Sequence, residues 1–361
     1  MEIGIVGLPN VGKSTLFNAL TSGHAASSNY PFTTIDPNVG VVMVPDPRLE
    51  RLNQIFKSAK VVPAPIRFVD IAGLVQGASQ GQGLGNQFLS HIREVDAIVH
   101  LVRMFKTPDV VHTMGGVDPK RDAGVINTEL ALADLQSVEK QLDKAQSQAK
   151  SGEKTAVERY ETLKKIHKAL ADGRSVRSLK LPREATKSFM LLTDKPILYL
   201  GNIDEEDMTK REQAEAVLKE IAKEDEAQSV VLCGKVEAEV AELSLEDRGQ
   251  FLKEMGLEKS GLERLIEAAY QLLNLITFFT AGPKESHAWP IVKGTVAPQA
   301  AGKIHSDIEQ GFIRADIYRY EDIDKLNTEA AVREKGLLRS EGKTYAMADG
   351  DVVYFHFQKP R

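Results

Sequence analysis

The chain has 361 residues, of which 42% are apolar and 27% charged, and a formal net charge of -5. These proportions exclude a collagen-like, disordered or membrane-dominated protein and leave room for two or three domains with cores of their own. Cys233 is the single cysteine, so an internal disulfide and a cysteine-built zinc centre are excluded; no run of about 18 apolar residues exists to span a bilayer, and a cytoplasmic protein without membrane association is expected.

Ile3 to Val6 reads as a short buried strand, and Thr15 to Leu20 as the first turns of a helix. Between them lies Gly7-Leu8-Pro9-Asn10-Val11-Gly12-Lys13-Ser14, which fits G-x-x-x-x-G-K-[ST] in the strand-to-helix setting that gives the pattern physical meaning. Gly7 and Gly12 let successive backbone N–H groups curl inward, and the helix N-terminus adds its positive end to the same concavity. That concavity suits phosphates. Lys13 is expected to reach a β and γ phosphate as the catalytic cation, and Ser14 to offer its hydroxyl to a bridging Mg²⁺. Asn10, Val11, Gly12 and Thr15 complete the stretch expected to touch a nucleotide.

Residues 22–38 carry no helical or strand period, and they sit where nucleotide switches keep a threonine for Mg²⁺ and the γ phosphate. Thr34 is the candidate, with Thr33 as the fallback. A strand at Val39 to Val44 follows, and another at Ile66 to Val69 delivers Asp70-Ile71-Ala72-Gly73, a D-x-x-G. Asp70 is expected to hold the Mg²⁺ through water, and Gly73 to bring an N–H to the γ phosphate. Gly77, Gly81, Gly83 and Gly85 then crowd a stretch that should be mobile. Ala97 to Val102 is a further strand, and 104–121 is loop-rich and contains His112. An imidazole there can orient or deprotonate a water near neutral pH, and Leu74 stands where many switches keep a water-orienting glutamine. A plain surface histidine is the competing account of His112.

From Ile126 the period changes. Leu135, Val138, Leu142, Ala145 and Ala149 form a heptad seam, answered by Ala156, Tyr160, Leu163, His167 and Leu170 after Ser151-Gly152. This predicts an inserted antiparallel helical hairpin whose two seams satisfy each other, so a monomer is expected. From Lys140 to Lys187, 13 Lys and Arg face 6 Asp and Glu; the excess fits either an RNA or ribosome surface or simply a solvated arm. The α/β pattern resumes with Lys195 to Leu200, ending on Gly201-Asn202-Ile203-Asp204-Glu205, and Val230 to Leu232, ending on Cys233-Gly234-Lys235. Both ends should lie at the carboxyl edge of a parallel sheet, where ligands bind. Helices over 239–255 and 262–275 follow, and from Ile276 onward the chain reads as a small mixed β domain in which Trp289 is core. The expected fold is α/β, a doubly wound, mostly parallel P-loop sheet over 1–125 and 190–275, with the hairpin over 126–189 and the β domain over 276–361.

The phosphate loop, Thr34, Asp70 to Gly73 and the two later strand ends resemble the translation-factor-related GTPases, and Asn29 to Asn38 resembles their Obg branch. With the inserted hairpin, Ala300 to Asp307 and Gly311 to Ala315, the chain is similar to the YchF family of Obg-like ATPases. That resemblance covers nearly the whole chain and implies a C-terminal TGS domain, a β-grasp module, together with ATP hydrolysis and ribosomes or other translation machinery as partner. It also implies K⁺ beside Asn10, as in GTPases with this loop. One departure from the common GTPase pattern bears on the base. Where N-K-x-D reads guanine through its Asp, this chain has Asn202-Ile203-Asp204-Glu205, with the carboxylate one methylene further out and no lysine beside the base. An Asn amide pairs well with adenine N7 and N6, so Asn202, Ile203, Glu205, Cys233 and Gly234 are expected to hold adenine, with ATP favoured over GTP. A GTPase of ribosome assembly and a nucleotide-gated RNA-binding module with negligible turnover are the alternatives.

Overall fold

The computed structural model describes residues 1–22, 38–72, 84–107 and 110–359. The chain divides into two compact units, one formed by residues 1–42 and 67–272, the other by 43–66 and 273–361. Among the described residues no helix is long and apolar enough to cross a membrane.

In chain order the elements up to the second passage between units are β1 (Glu2–Gly7), α1 (Lys13–Ser22), β2 (Val39–Met43), α2 (Pro47–Phe56), β3 (Lys60–Val62) and β4 (Pro65–Asp70). The first unit continues with α3 (Leu84–Glu94), β5 (Ala97–Arg103), α4 (Pro119–Ala149), α5 (Lys154–Ala171), α6 (Arg183–Thr186), β6 (Ile197–Asn202), α7 (Arg211–Lys223), β7 (Gln228–Leu232), α8 (Gly234–Glu242), α9 (Leu245–Glu254) and α10 (Gly261–Leu272). Its sheet has the order β2-β4-β1-β5-β6-β7, and the ladders joining β4, β1, β5, β6 and β7 are all parallel. β5 and β6 are buried along their whole length, which is why they read as unbroken apolar runs instead of alternating ones. Because the ladders are parallel, Gly7, Asp70, Arg103, Asn202 and Leu232 all end at one edge of the sheet. That edge carries the site.

α4 and α5 form the hairpin, packed through Val138, Ala145, Leu163 and Leu170. Two corrections apply to it. The buried residue in the fourth turn of α5 is Ile166, while His167 is about a third exposed and faces Glu139 at 3.7 Å. Helix α4 also starts at Pro119, not near Ile126, because Asp118 caps it by accepting from the Arg121 N–H and Pro119 suits the first helical position. The helix expected over 239–255 is two, α8 and α9, since Ser244 caps a fresh start by accepting from the Asp247 N–H.

The second unit holds β8 (Leu275–Ala281), β9 (Glu285–Val292), α11 (Ala297–Ile304), α12 (Ser306–Gln310), β10 (Phe312–Arg319), α13 (Tyr320–Leu326), α14 (Glu329–Glu334), β11 (Arg339–Glu341) and β12 (Asp351–Phe357). Its mixed sheet runs β11-β10-β12-β8-β9-β3. Successive residues face opposite sides, so Phe278, Ile317 and Val353 enter one core with α11 and neighbours Phe279, Tyr318 and Val352 enter another with α2. Residues 43–66, which the sequence reading kept with the phosphate loop, supply α2 and β3 here, and β3 pairs in parallel with β9.

Candidate functional site

β1 runs into the phosphate loop at a position only glycine fills, because a Cβ on Gly7 would stand 2.9 Å from Leu101 O and 2.8 Å from Val11 Cγ2. Asn10 and Gly12 both take left-handed backbone, with φ of 62° and 91°, and turn the chain so that α1 can start with the Leu16 N–H donating to Gly12 O at 3.0 Å. Val11 is buried and anchors the loop. Lys13 opens α1, and its ammonium is ion-paired with the carboxylate of Asp70 at the end of β4, both side chains being largely buried. Ser14 and Thr15 are exposed at the mouth of the same helix. A cation, a helix N-terminus and a hydroxyl thus converge on one concavity, an arrangement that binds a polyanion.

A cavity of about 750 Å³ continues from Gly12 and Thr15 along the edge, walled by Phe105, Ile203, Glu205, Cys233 and Lys235 among others; that is ample for a nucleoside. Asn202 joins its two ends. The side-chain Nδ2 donates to Val11 O at 3.0 Å and the Gly234 N–H donates to Asn202 Oδ1 at 2.9 Å, all within the buried interior. One of the amide's two N–H groups and one lone pair of its oxygen thus hold the protein together, and Asn202 also lines the cavity. The Gly234 N–H is likewise engaged. A Cβ on Gly12 would meet Asn202 Nδ2 at 2.3 Å, so the glycine is what admits the bridge. Ile203 is buried, and its N–H donates to Leu232 O. Glu205 sits exposed on the rim, bound by Lys235 at 3.1 Å. Asp204 turns away and accepts from the Lys106 N–H and the Thr107 hydroxyl, both at 2.9 Å. Burial raises the Cys233 thiol above its ordinary range, which keeps it protonated and unreactive.

His112 stands on the stretch beyond β5. Its Nδ1 accepts from the Met114 N–H at 3.0 Å, so Nε2 carries the proton and faces Asp122 Oδ2 at 2.7 Å. Arg121 clamps the other oxygen of Asp122 at 2.8 Å. Both ring nitrogens are thus engaged, while the neighbouring Val111 O accepts from Asn10 Nδ2 at 3.2 Å and keeps the stretch beside the phosphate loop. Thr34 and Gly73 lie outside the described residues. Of the expected metal set, Ser14 and Asp70 remain, one hydroxyl and one carboxylate at the mouth of the cradle. Among the described residues no cluster of three or more His, Cys, Asp or Glu could hold a metal by itself. Few oxygen ligands beside a phosphate cradle fit Mg²⁺, which keeps its waters and is held largely by substrate phosphates.

Sequence reasoning missed Phe105 and Arg103. Phe105 belongs to no motif, although an aromatic residue just beyond a strand at the ligand-bearing edge was a signal. Arg103 is 2% exposed, and an arginine ending a buried apolar strand was a signal too.

A parallel sheet with a phosphate loop after its first strand, an acid after a neighbouring strand and two base-side strand ends defines a P-loop nucleoside triphosphatase of the GTPase class. P-loop enzymes of this kind use Mg²⁺. The chain matches the family model described as 50S ribosome-binding GTPase over residues 2–235, and the YchF-GTPase C-terminal model, described as a protein of unknown function, over residues 275–358. It is 49% identical over 362 residues to the ribosome-binding ATPase YchF of Bacillus subtilis, across 99% of both chains. It is also 49% identical over 359 residues to that of Escherichia coli O157:H7, again across 99% of both. The solved structure of the Schizosaccharomyces pombe YchF GTPase superposes with a TM-score of 0.89 at 36% identity, covering 99% of this chain and 97% of that one. The chain belongs to the YchF family.

Proposed function

We propose that the chain binds ATP in preference to GTP and hydrolyses it slowly, as a conformational switch that acts as a monomer on ribosomes in the cytoplasm. The observation that carries the base preference is the rim of the cavity. Guanine recognition in this class needs a carboxylate free to accept from two adjacent N–H groups, whereas Glu205 is bound to Lys235 at 3.1 Å and no lysine flanks the base at Ile203. Adenine then lies along the apolar wall of Phe105, with the second N–H and second lone pair of the Asn202 amide left for its N7 and N6. The relatives' name, ribosome-binding ATPase, supports both substrate and partner.

In this reading Lys13 takes the β and γ phosphates, while Ser14, Asp70 and Thr34 hold Mg²⁺ and Gly73 contacts the γ phosphate. The metal supplies charge neutralisation across those phosphates when bound. His112 orients the attacking water once its contact with Asp122 opens, and K⁺ beside Asn10 assists. The basic α4–α5 arm and the second unit, read as a TGS-like β-grasp module, face the ribosome. Titration of the full chain with ATP and GTP, with and without ribosomes, tests the proposal. ATP should bind at least several-fold tighter and phosphate release should exceed background, with Lys13→Ala abolishing release; equal or tighter GTP binding would overturn the base preference, and unchanged turnover in Lys13→Ala would move the active site elsewhere.

A further inference from the structure

Arg103 ends β5 as a guanidinium inside the protein, 2% exposed. Its Nε donates to Phe105 O at 3.2 Å, and one terminal nitrogen donates to Val110 O at 2.8 Å. The other terminal nitrogen reaches Asn10 O and Val111 O, each at 3.4 Å. The guanidinium carbon also lies over the Phe105 ring, 4.3 Å from its centre. Phe105 also walls the cavity, and its ring edge comes within 4.0 Å of where a Cβ on Gly12 would stand.

Burying an arginine is costly unless every donor finds an acceptor, and a buried one answered by backbone carbonyls serves whatever those carbonyls belong to. Here they belong to the phosphate loop, through Asn10, and to the stretch beyond β5, through Phe105, Val110 and Val111. The shorter bonds go to Phe105 and Val110 and the longer ones to Asn10 and Val111, so the main hold is on the stretch that carries the aromatic wall. Lysine cannot replace this, because a single ammonium lacks both the planar fork that spans separate carbonyls and the flat face that stacks on a ring.

We propose that Arg103 is a positioning residue for the base, fixing Phe105 in the cavity wall by hydrogen bonds to the backbone around it and by cation–π contact with its ring. This rests on the reading that the adenine of ATP enters that cavity. The test is isothermal titration of the full chain with ATP and with tripolyphosphate, which offers the cradle phosphates and no base. Four proteins are compared, namely the natural chain, Arg103→Lys, Phe105→Ala and the double variant. Arg103→Lys should weaken ATP roughly tenfold, the scale of one aromatic stacking face, and leave tripolyphosphate within about twofold. The double variant should bind ATP no more weakly than Phe105→Ala alone, since the arginine acts through the ring. Additive losses, or equal weakening of tripolyphosphate and ATP, would overturn the inference, as would an Arg103→Lys protein that binds ATP like the natural chain. If Arg103→Lys does not fold, Arg103→Gln carries the same comparison. A natural chain that binds no ATP would remove the nucleotide reading itself, which is a separate failure.

Discussion

Asn202→Ala is the sharpest perturbation of the site, because it removes one side chain and strands two backbone groups. The amide answers Val11 O at 3.0 Å and the Gly234 N–H at 2.9 Å, and Asn202, Val11 and Gly234 are all buried. A buried backbone group left without a partner costs about 1–3 kcal/mol, so two cost about 2–4 kcal/mol once water entering from the adjoining cavity repairs part of the loss. For a unit of roughly 250 residues that corresponds to a fall in Tm of roughly 5–15 °C. Urea and thermal unfolding followed by helical circular dichroism measure it, beside ATP affinity on the same preparations. Loss of stability and of ATP affinity together is the expected result. A stability change below about 1 kcal/mol would refute the internal bridge.

His112→Ala should abolish phosphate release while ATP affinity stays intact; wild-type turnover would leave the water to backbone, K⁺ or the partner. Burial within the sheet holds His100 down to about 4, so between its ordinary range near 6.5 and pH 4 only the unfolded chain takes up the proton. Stability contributed by neutral His100 is therefore complete above about pH 6.5 and falls by about 3 kcal/mol as the pH drops to 4; His100→Phe should flatten that part of a pH series of urea midpoints, and an unchanged slope would contradict it. Replacing the exposed Lys164, Lys165 and Lys168 by glutamate should weaken ribosome binding and shallow its salt dependence, whereas binding indifferent to both charge and salt would point to apolar contacts.

The phosphate loop was legible because three independent signals coincide in it, a strand, a fixed spacing and a helix, and each restricts the backbone on its own. The parallel edge was legible for the same reason, since unbroken apolar runs such as Ala97 to Val102 have few other folds to join. What escaped was decided at long range. Three residues of β3 pair with β9 more than 200 positions away, and nothing local in Lys60-Val61-Val62 announces a partner. The position of Asn202 was readable, but its internal bridge was not, because Val11 O and the Gly234 N–H come beside it only in the fold. Local signals were also passed over, notably Asp118-Pro119 at the start of α4 and Ser244 at the start of α9, where capping chemistry outweighs hydrophobic period.

The pairing of Lys13 with Asp70 bears on how such a site exists at all before its ligand arrives. Both side chains are largely buried, and either one alone would be an uncompensated charge in a partly desolvated place, which is strongly unfavourable. Joined, they neutralise each other. On the proposed reading the same two groups serve opposite partners when nucleotide binds, Lys13 turning to phosphate and Asp70 to the metal's shell. The ion pair would then be exchanged for two charge-assisted contacts, with no charge left alone at either stage. Asp70→Asn separates this account from a merely structural pair. It should leave Lys13 without its counter-charge in the free chain and the metal without its carboxylate in the bound one, so Mg²⁺-dependent ATP binding should weaken more than binding measured in excess chelator. Equal weakening under both conditions would assign Asp70 to holding Lys13 alone.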